Sequence, residues 1–199
     1  MQEILQTRIG EVIESSTTAF SAQCYELYAL PPLGTLIKTC EGDNGLYAVV
    51  CQARTEGIEP GRKPIARGKD EVSEEAIFKA NPQLSKLLRS EFSALIVGHK
   101  VTDRLHQFLP PRPARIHSFV YACSRDEILD FSNSCSFLTL LVNAKTETPA
   151  DELIAAVLRL MSVAYEDAHG FLLKAGKELA TLLSQDYVRL RTILERIKP

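Results

Sequence analysis

The sequence predicts an α+β protein: a small closed β-barrel at the N-terminus followed by an α-helical C-terminal region. Three observations carry this. Seven of the ten glycines lie within the first 68 residues, where β-branched and aromatic residues also dominate. From Arg125 onward only Gly170 and Gly176 remain, and Leu, Ala, Glu and Lys take over. Short apolar segments recur through the first part between turn residues, as in small barrels and sandwiches. The expected division is residues 1–123 for a barrel with inserted short helices and 124–199 for the helical region.

The first strand is expected over residues 9–13 and the second over 20–30, where Phe20, Ala22 and Cys24 alternate with Ser21, Gln23 and Tyr25. Pro31-Pro32-Leu33-Gly34 interrupts the chain before a third strand at 35–40. Glu41-Gly42-Asp43-Asn44-Gly45 is turn chemistry, and its Asn-Gly pair suits a tight hairpin. Residues 46–53 follow as a strand apolar enough to be buried on both faces. The connection over 54–70 contains Gly57, Pro60, Gly61, Pro64 and Gly68. Residues 71–89 read as short helical pieces broken at Asn81-Pro82, with Asn81 capping a helix whose first residue is Pro82. Residues 91–100, centred on Leu95-Ile96-Val97, form a strand that returns to close the barrel. Leu109-Pro110-Pro111-Arg112-Pro113 is extended, since proline fixes its own φ and biases its predecessor away from helix. It resembles an extended recognition segment but reads better as a rigid bridge from barrel to helices. Residues 115–123 give the last strand.

In the second half Ser124 caps a helix running through Phe131, and 135–143 is a second short helix. Thr148-Pro149-Ala150-Asp151 is a helix start: a hydroxyl cap, proline at the first position and an acid at the third. That helix buries Leu153, Ile154, Val157, Leu158, Met161 and Tyr165, spaced three and four apart. A final helix is expected over 171–197. The last two elements form an antiparallel hairpin, or the last pairs with a copy of itself; four heptads of strict a/d pattern are lacking, which favours the hairpin.

With 199 residues, 45% hydrophobic and 24% charged, the chain is long and apolar enough to bury a core. Lys+Arg 23 against Asp+Glu 25 gives a net charge of -2, unlike the basic footprint of a duplex DNA binder. Trp is absent and aromatics make up 7%, which leaves few rings for stacking single-stranded nucleic acid. Met1-Gln2-Glu3-Ile4 has neither the basic nor the apolar region of a signal peptide, and no apolar run is long enough to span a membrane. Five cysteines (Cys24, Cys40, Cys51, Cys123, Cys135) lack CxxC pairing and have apolar neighbours, so buried thiols in a reducing cytoplasm are expected.

Catalytic and metal chemistry find little support. His99 and His106 flank a loop containing Asp103, and His117 lies in an apolar strand, but no HxH or HxxxH spacing fixes two ligands on one face. No GxSxG elbow exists. His117 and Cys123 are six apart on one strand, and Cys135 is the other candidate thiol, but nothing lowers a thiol pKa. No enzyme activity, cofactor or metal is expected. Arg54, Arg62, Lys63, Arg67 and Lys69 cluster in the Pro/Gly-rich connection, opposed by Glu56 and Glu59 and followed by Asp70, Glu71, Glu74 and Glu75. The segment reads as a solvated loop neutralised by its neighbours, or as a surface for an acidic protein face or RNA.

Arg8-Ile9-Gly10-Glu11-Val12-Ile13, Phe20 to Tyr28, Leu33-Gly34-Thr35-Leu36-Ile37 and Leu46-Tyr47-Ala48-Val49-Val50 resemble the HAS barrel. That is the six-stranded barrel of HerA helicases and of the N-terminal domains of the ATP synthase α and β subunits. Ile9, Gly10 and Val12 match its opening Ile-Gly-x-Val strand; Leu33, Gly34 and Ile37 match its second motif. Where the family commonly carries Gly-x-Val, this chain has Ala48-Val49-Val50. The resemblance covers roughly residues 8–100, and the whole chain is similar to standalone cyanobacterial and plastid-type proteins of this barrel class. Gly10 and Gly34 are expected at sharp bends. The family's P-loop has no counterpart: Gly61 to Asp70 has the wrong spacing for GxxxxGK[ST], so ATP hydrolysis is not implied. What the resemblance implies is a non-catalytic interaction or assembly factor acting on an ATPase ring or capping its own oligomer. An RNA-binding small barrel is the alternative.

Overall fold

Six antiparallel strands pair into a closed cylinder in the computed structural model, which describes residues 8–198 apart from Asp43, Pro60 and Arg62. Met1 to Ile4 of the leader reading, Asp43 of the turn and Arg62 of the basic connection therefore lie outside the described residues. In chain order the elements are β1 (Arg8–Ser15), β2 (Ala19–Cys24), β3 (Leu36–Glu41), β4 (Asn44–Gly57), α1 (Glu74–Ala80), α2 (Leu84–Leu87), β5 (Leu88–Val101), β6 (Arg104–His106), β7 (Phe119–Ala122), α3 (Arg125–Ser132), α4 (Leu138–Val142), α5 (Ala150–Ser162), α6 (Ala168–Leu182) and α7 (Tyr187–Arg196). Around the barrel the order is β1-β2-β5-β4-β3-β7 and back to β1, with β6 a flap on β5. The strand expected at 91–100 does close the cylinder, pairing with β2 on one side and β4 on the other.

Alternation decides what fills the cylinder. Val12, Phe20, Ala22, Ile37, Val50, Phe92 and Ile96 point inward and form the barrel core. Leu36, Tyr47, Val49, Cys51 and Val97 point outward and join a second core with Phe131, Phe137, Leu138, Leu153 and Val157 of the helical half. The middle of β4 is therefore covered on both faces, which explains why its sequence reads as a continuous apolar run.

Gly10 and Gly34 are among the glycines that let backbones approach closely. A Cβ on Gly10 would sit 2.0 Å from the carbonyl oxygen of Gln23 on β2, beside a bulge in the pairing of β1 with β7. Gly34 has φ +86, and its Cβ would lie 2.6 Å from Val157 N, so α5 rests directly on the turn before β3. Polar ties reinforce the same seam. Lys38 of β3 pairs with Glu127 of α3. The Thr148 hydroxyl donates to the Cys51 carbonyl of β4 rather than capping α5, which starts from Pro149.

Several local expectations are corrected. Asn81 closes the C-terminus of α1, its N–H donating to Ile77 O; Ser73 provides the N-cap. β2 stops at Cys24, and Tyr28 turns the chain with φ 67. His117 lies in a turn with φ 68 before β7, not within a strand. The Pro110 to Pro113 segment does not bridge barrel and helices: it joins β6 to β7, and Ala114 at its end is part of the barrel core. The final helix is two. α6 ends at Leu182, and Asp186 starts α7 by accepting from the Arg189 N–H at 3.0 Å. Asp151 pairs with Arg189 near the start of α7, and Arg159 donates to the Arg196 carbonyl at its end. Arg196 also pairs with Glu152 at 2.7 Å, so α5 and α7 are tied along their lengths, with α6 connecting them.

Candidate partner-binding site

β4 and β5 continue beyond the cylinder. The last residue of β5 paired with β2 is Glu91, and the further pairs Thr55–Ser90, Glu56–Arg89 and Gly57–Leu88 form a two-stranded neck. One side of this neck is a charge ladder. Arg89 contacts Glu56 at 2.9 Å and Glu91 at 3.0 Å, while Arg54 contacts Glu91 at 3.4 Å and Glu56 at 3.7 Å. Glu91 is buried, so two guanidinium groups hold its charge. The hydrogen bond from Arg89 lowers the Glu56 carboxyl below its ordinary pKa. On the other side Ser90 Oγ accepts from the Tyr28 N–H at 2.8 Å and shares a 2.8 Å hydrogen bond with Thr55 Oγ1.

The neck carries residues 58–87, in which neither α1 nor α2 has a buried residue. Tyr28 meets Phe78 of α1 edge-on, with ring centroids 6.4 Å apart. Between connection and helices lies a groove of about 190 Å³ with an apolar lining that includes Ile65, Ile77, Leu84 and Leu87, joined by Lys63 and Arg67. Glu59 also lines it. Arg67 reaches Asn81 Oδ1 at 3.4 Å. Apolar side chains around the groove are open to solvent: Ile65 is 76% exposed and Leu87 49%. These apolar side chains stay open on a segment whose two helices bury no residue.

The five cations are thus divided. Lys63 and Arg67 meet at the groove. Lys69 is exposed and outside its lining, Arg54 belongs to the ladder, and Arg62 lies outside the described residues. Charge counting found the cations but passed over Ile65, Ile77, Leu84 and Leu87. Their signal was Ile65 alone amid Gly, Pro, Arg and Lys, where no amphipathic period accounts for it.

The other candidates are not brought together. His117 Nδ1 is 2.8 Å from Glu11 Oε1, while Cys123 sits beside Lys38 and Glu127. Burial pushes the Cys123 thiol far up and those of Cys24 and Cys51 up to about 11, the opposite of nucleophile activation. The described cysteines are all free; Cys24, Cys51 and Cys135 are buried as expected, whereas Cys123 is half-buried and Cys40 exposed. His99 packs at a tilt against His106 and edge-on against Phe108, and its Nδ1 is 3.1 Å from the Phe108 carbonyl. Among the described residues no three His, Cys, Asp or Glu side chains converge as a metal site, and no helix is long and apolar enough to cross a membrane.

Neither a protein-family model nor a curated protein matches the sequence. A closed six-stranded barrel followed by helices defines the class of fold, and that architecture is shared by unrelated families.

Proposed function

We propose that the protein is a non-catalytic interaction or assembly factor built on a HAS-type barrel. Its inserted α1–α2 segment docks an acidic amphipathic segment of a partner protein. The observation that carries this reading is the groove itself, an apolar trough with Lys63 and Arg67 at its lining and exposed Ile65 and Leu87 beside it. Apolar burial would supply most of the affinity, and the two cations would select acidic over basic segments. The resemblance to barrels that crown ATPase rings names a ring subunit as the partner. Thiols raised by burial and histidines engaged in local contacts favour binding over catalysis.

The test is a pull-down from native lysate at two salt concentrations, with proteins and RNA quantified together. Stoichiometric ATPase subunits that survive the higher salt support the proposal if they are lost from Leu87→Asp and from a variant with Arg62, Lys63 and Arg67 reversed to Glu. Recovery unchanged in both variants removes the groove from the account. RNA that is released steeply by salt replaces this reading with a nucleic-acid module.

A further inference from the structure

The opposite end of β4 carries a second feature, independent of the groove. There the Pro110 to Arg115 strap crosses the mouth of the barrel over Thr39, Leu46, His99 and Lys100, enclosing about 300 Å³. That is the lower end of the usual range for small-molecule pockets, about 300–1,000 Å³. Thr39 follows Ile37 on the inward face of β3, is 3% exposed, and its Oγ1 has no hydrogen-bond partner. A buried hydroxyl left unsatisfied is uncommon in a native fold and needs an explanation.

The charges around the mouth are lopsided. Lys100, Arg112 and Arg115 line it against a single carboxylate, Glu41. Glu41 pairs with Arg115 at 2.9 Å; Asp103, outside the lining and 97% exposed, reaches Lys100 at 3.2 Å. Arg112 has no ion-pair partner among the described residues. The prolines of the strap offer no N–H donors, so side chains must supply the contacts to an anion. Leu46, Val101 and Pro113 supply an apolar wall.

We infer that the barrel mouth binds a small phosphate monoester. Its dianionic head is held by Arg112, Arg115 and Lys100, its oxygen accepts from Thr39 Oγ1, and its compact apolar body packs against the strap. Arg112 is the uncompensated cation, the exposed pairs of Arg115 with Glu41 and Lys100 with Asp103 are weak enough to be exchanged for a dianion, and guanidinium forks suit phosphate oxygens. A space of about 300 Å³ has room for a phosphate and a small body.

Phenyl phosphate is the probe, followed by backbone amide NMR of the full chain, with inorganic phosphate and benzoate as separate arms. The expected result is saturable shifts at Thr39, Lys100 and Ala114, with phenyl phosphate binding at least about tenfold tighter than either comparison ligand. Thr39→Val and Arg112→Ala should each weaken binding by about tenfold. Both should keep the wild-type melting temperature, because Arg112 is exposed and Thr39→Val only removes an unpartnered hydroxyl. Unmoved resonances at about 10 mM phenyl phosphate, a weaker interaction than any specific site this size should show, would overturn the inference. So would benzoate or inorganic phosphate binding equally well, or unchanged affinity in both variants.

Discussion

Replacing Gly34 with alanine puts a methyl group 2.6 Å from Val157 N and 2.7 Å from the carbonyl carbon of Ala156, at a residue whose φ is +86. Two costs add. A non-glycine residue held in the left-handed region loses roughly 1–2 kcal/mol. Forcing α5 away from the turn before β3 adds about 1–3 kcal/mol, as in other overpacked sites. Stiffening the unfolded chain returns about 0.4–1 kcal/mol. The expected net loss is about 2–4 kcal/mol, read as a fall of about 1 M or more in the urea midpoint at unchanged slope. Gly42→Ala is the control, since its φ is +57 but nothing lies within 4 Å of its Cβ. It carries the dihedral cost alone, about 1 kcal/mol after the unfolded-state gain. If Gly34→Ala were no worse than Gly42→Ala, the close seating of α5 on the barrel would be refuted.

Two further outcomes test the same architecture. Burial alone would raise the Glu127 carboxyl, but hydrogen bonds from Lys38 and the Ser124 N–H outweigh it and hold the pKa below the ordinary value. A carboxylate lowered on folding stabilises above its unfolded pKa, and that contribution is lost as pH falls through the folded value. Glu127→Gln should therefore cost about 1–2 kcal/mol near pH 7 and nothing once the pH lies below the folded value; a difference between wild type and variant that does not shrink as the pH falls would disprove the coupling. For the thiols, a disulfide-exchange reagent at pH 8 should label Cys40 first, more slowly than a free cysteine because neighbouring atoms partly desolvate its otherwise exposed thiol and raise its pKa. Cys24, Cys51 and Cys135 should react only as the fold opens, half-buried Cys123 in between, and equal native rates for Cys24 or Cys51 would contradict their burial.

What the residues disclosed depended on how local the cause was. The alternation of Phe20, Ala22 and Cys24 and the unbroken run of β4 betrayed their environments, one face buried or two. The outer end of β4 did not: Arg54 and Glu56 look like loop residues until Arg89 and Glu91, more than thirty positions away, complete the ladder. The same limit hid the division of the last helix. Apolar spacing runs through from Phe171 to Ile197, and only the Asp186 cap marks the break. Proline content announced an extended strap but carried no information about where it lay. At the groove, Lys63 and Arg67 were legible as charge, whereas the apolar lining was not, because isoleucine and leucine in short helices resemble core. At the barrel mouth, Thr39 is one hydroxyl in a strand, and only tertiary packing leaves it without a partner.

The neck has a consequence for how this chain can vary. The chain leaves and re-enters the barrel on two neighbouring strands, and the Ile58 N–H closes the gap by donating to Leu87 O at 2.9 Å. Nothing inserted there threads the cylinder, and the entropy of closing a longer loop grows only with the logarithm of its length, about 0.6 kcal/mol per doubling. Residues 59–86 thus behave as a cassette. A tight turn in their place should leave the pairings of β5 with β2 and β4 intact, and a different segment should be carried on the same scaffold.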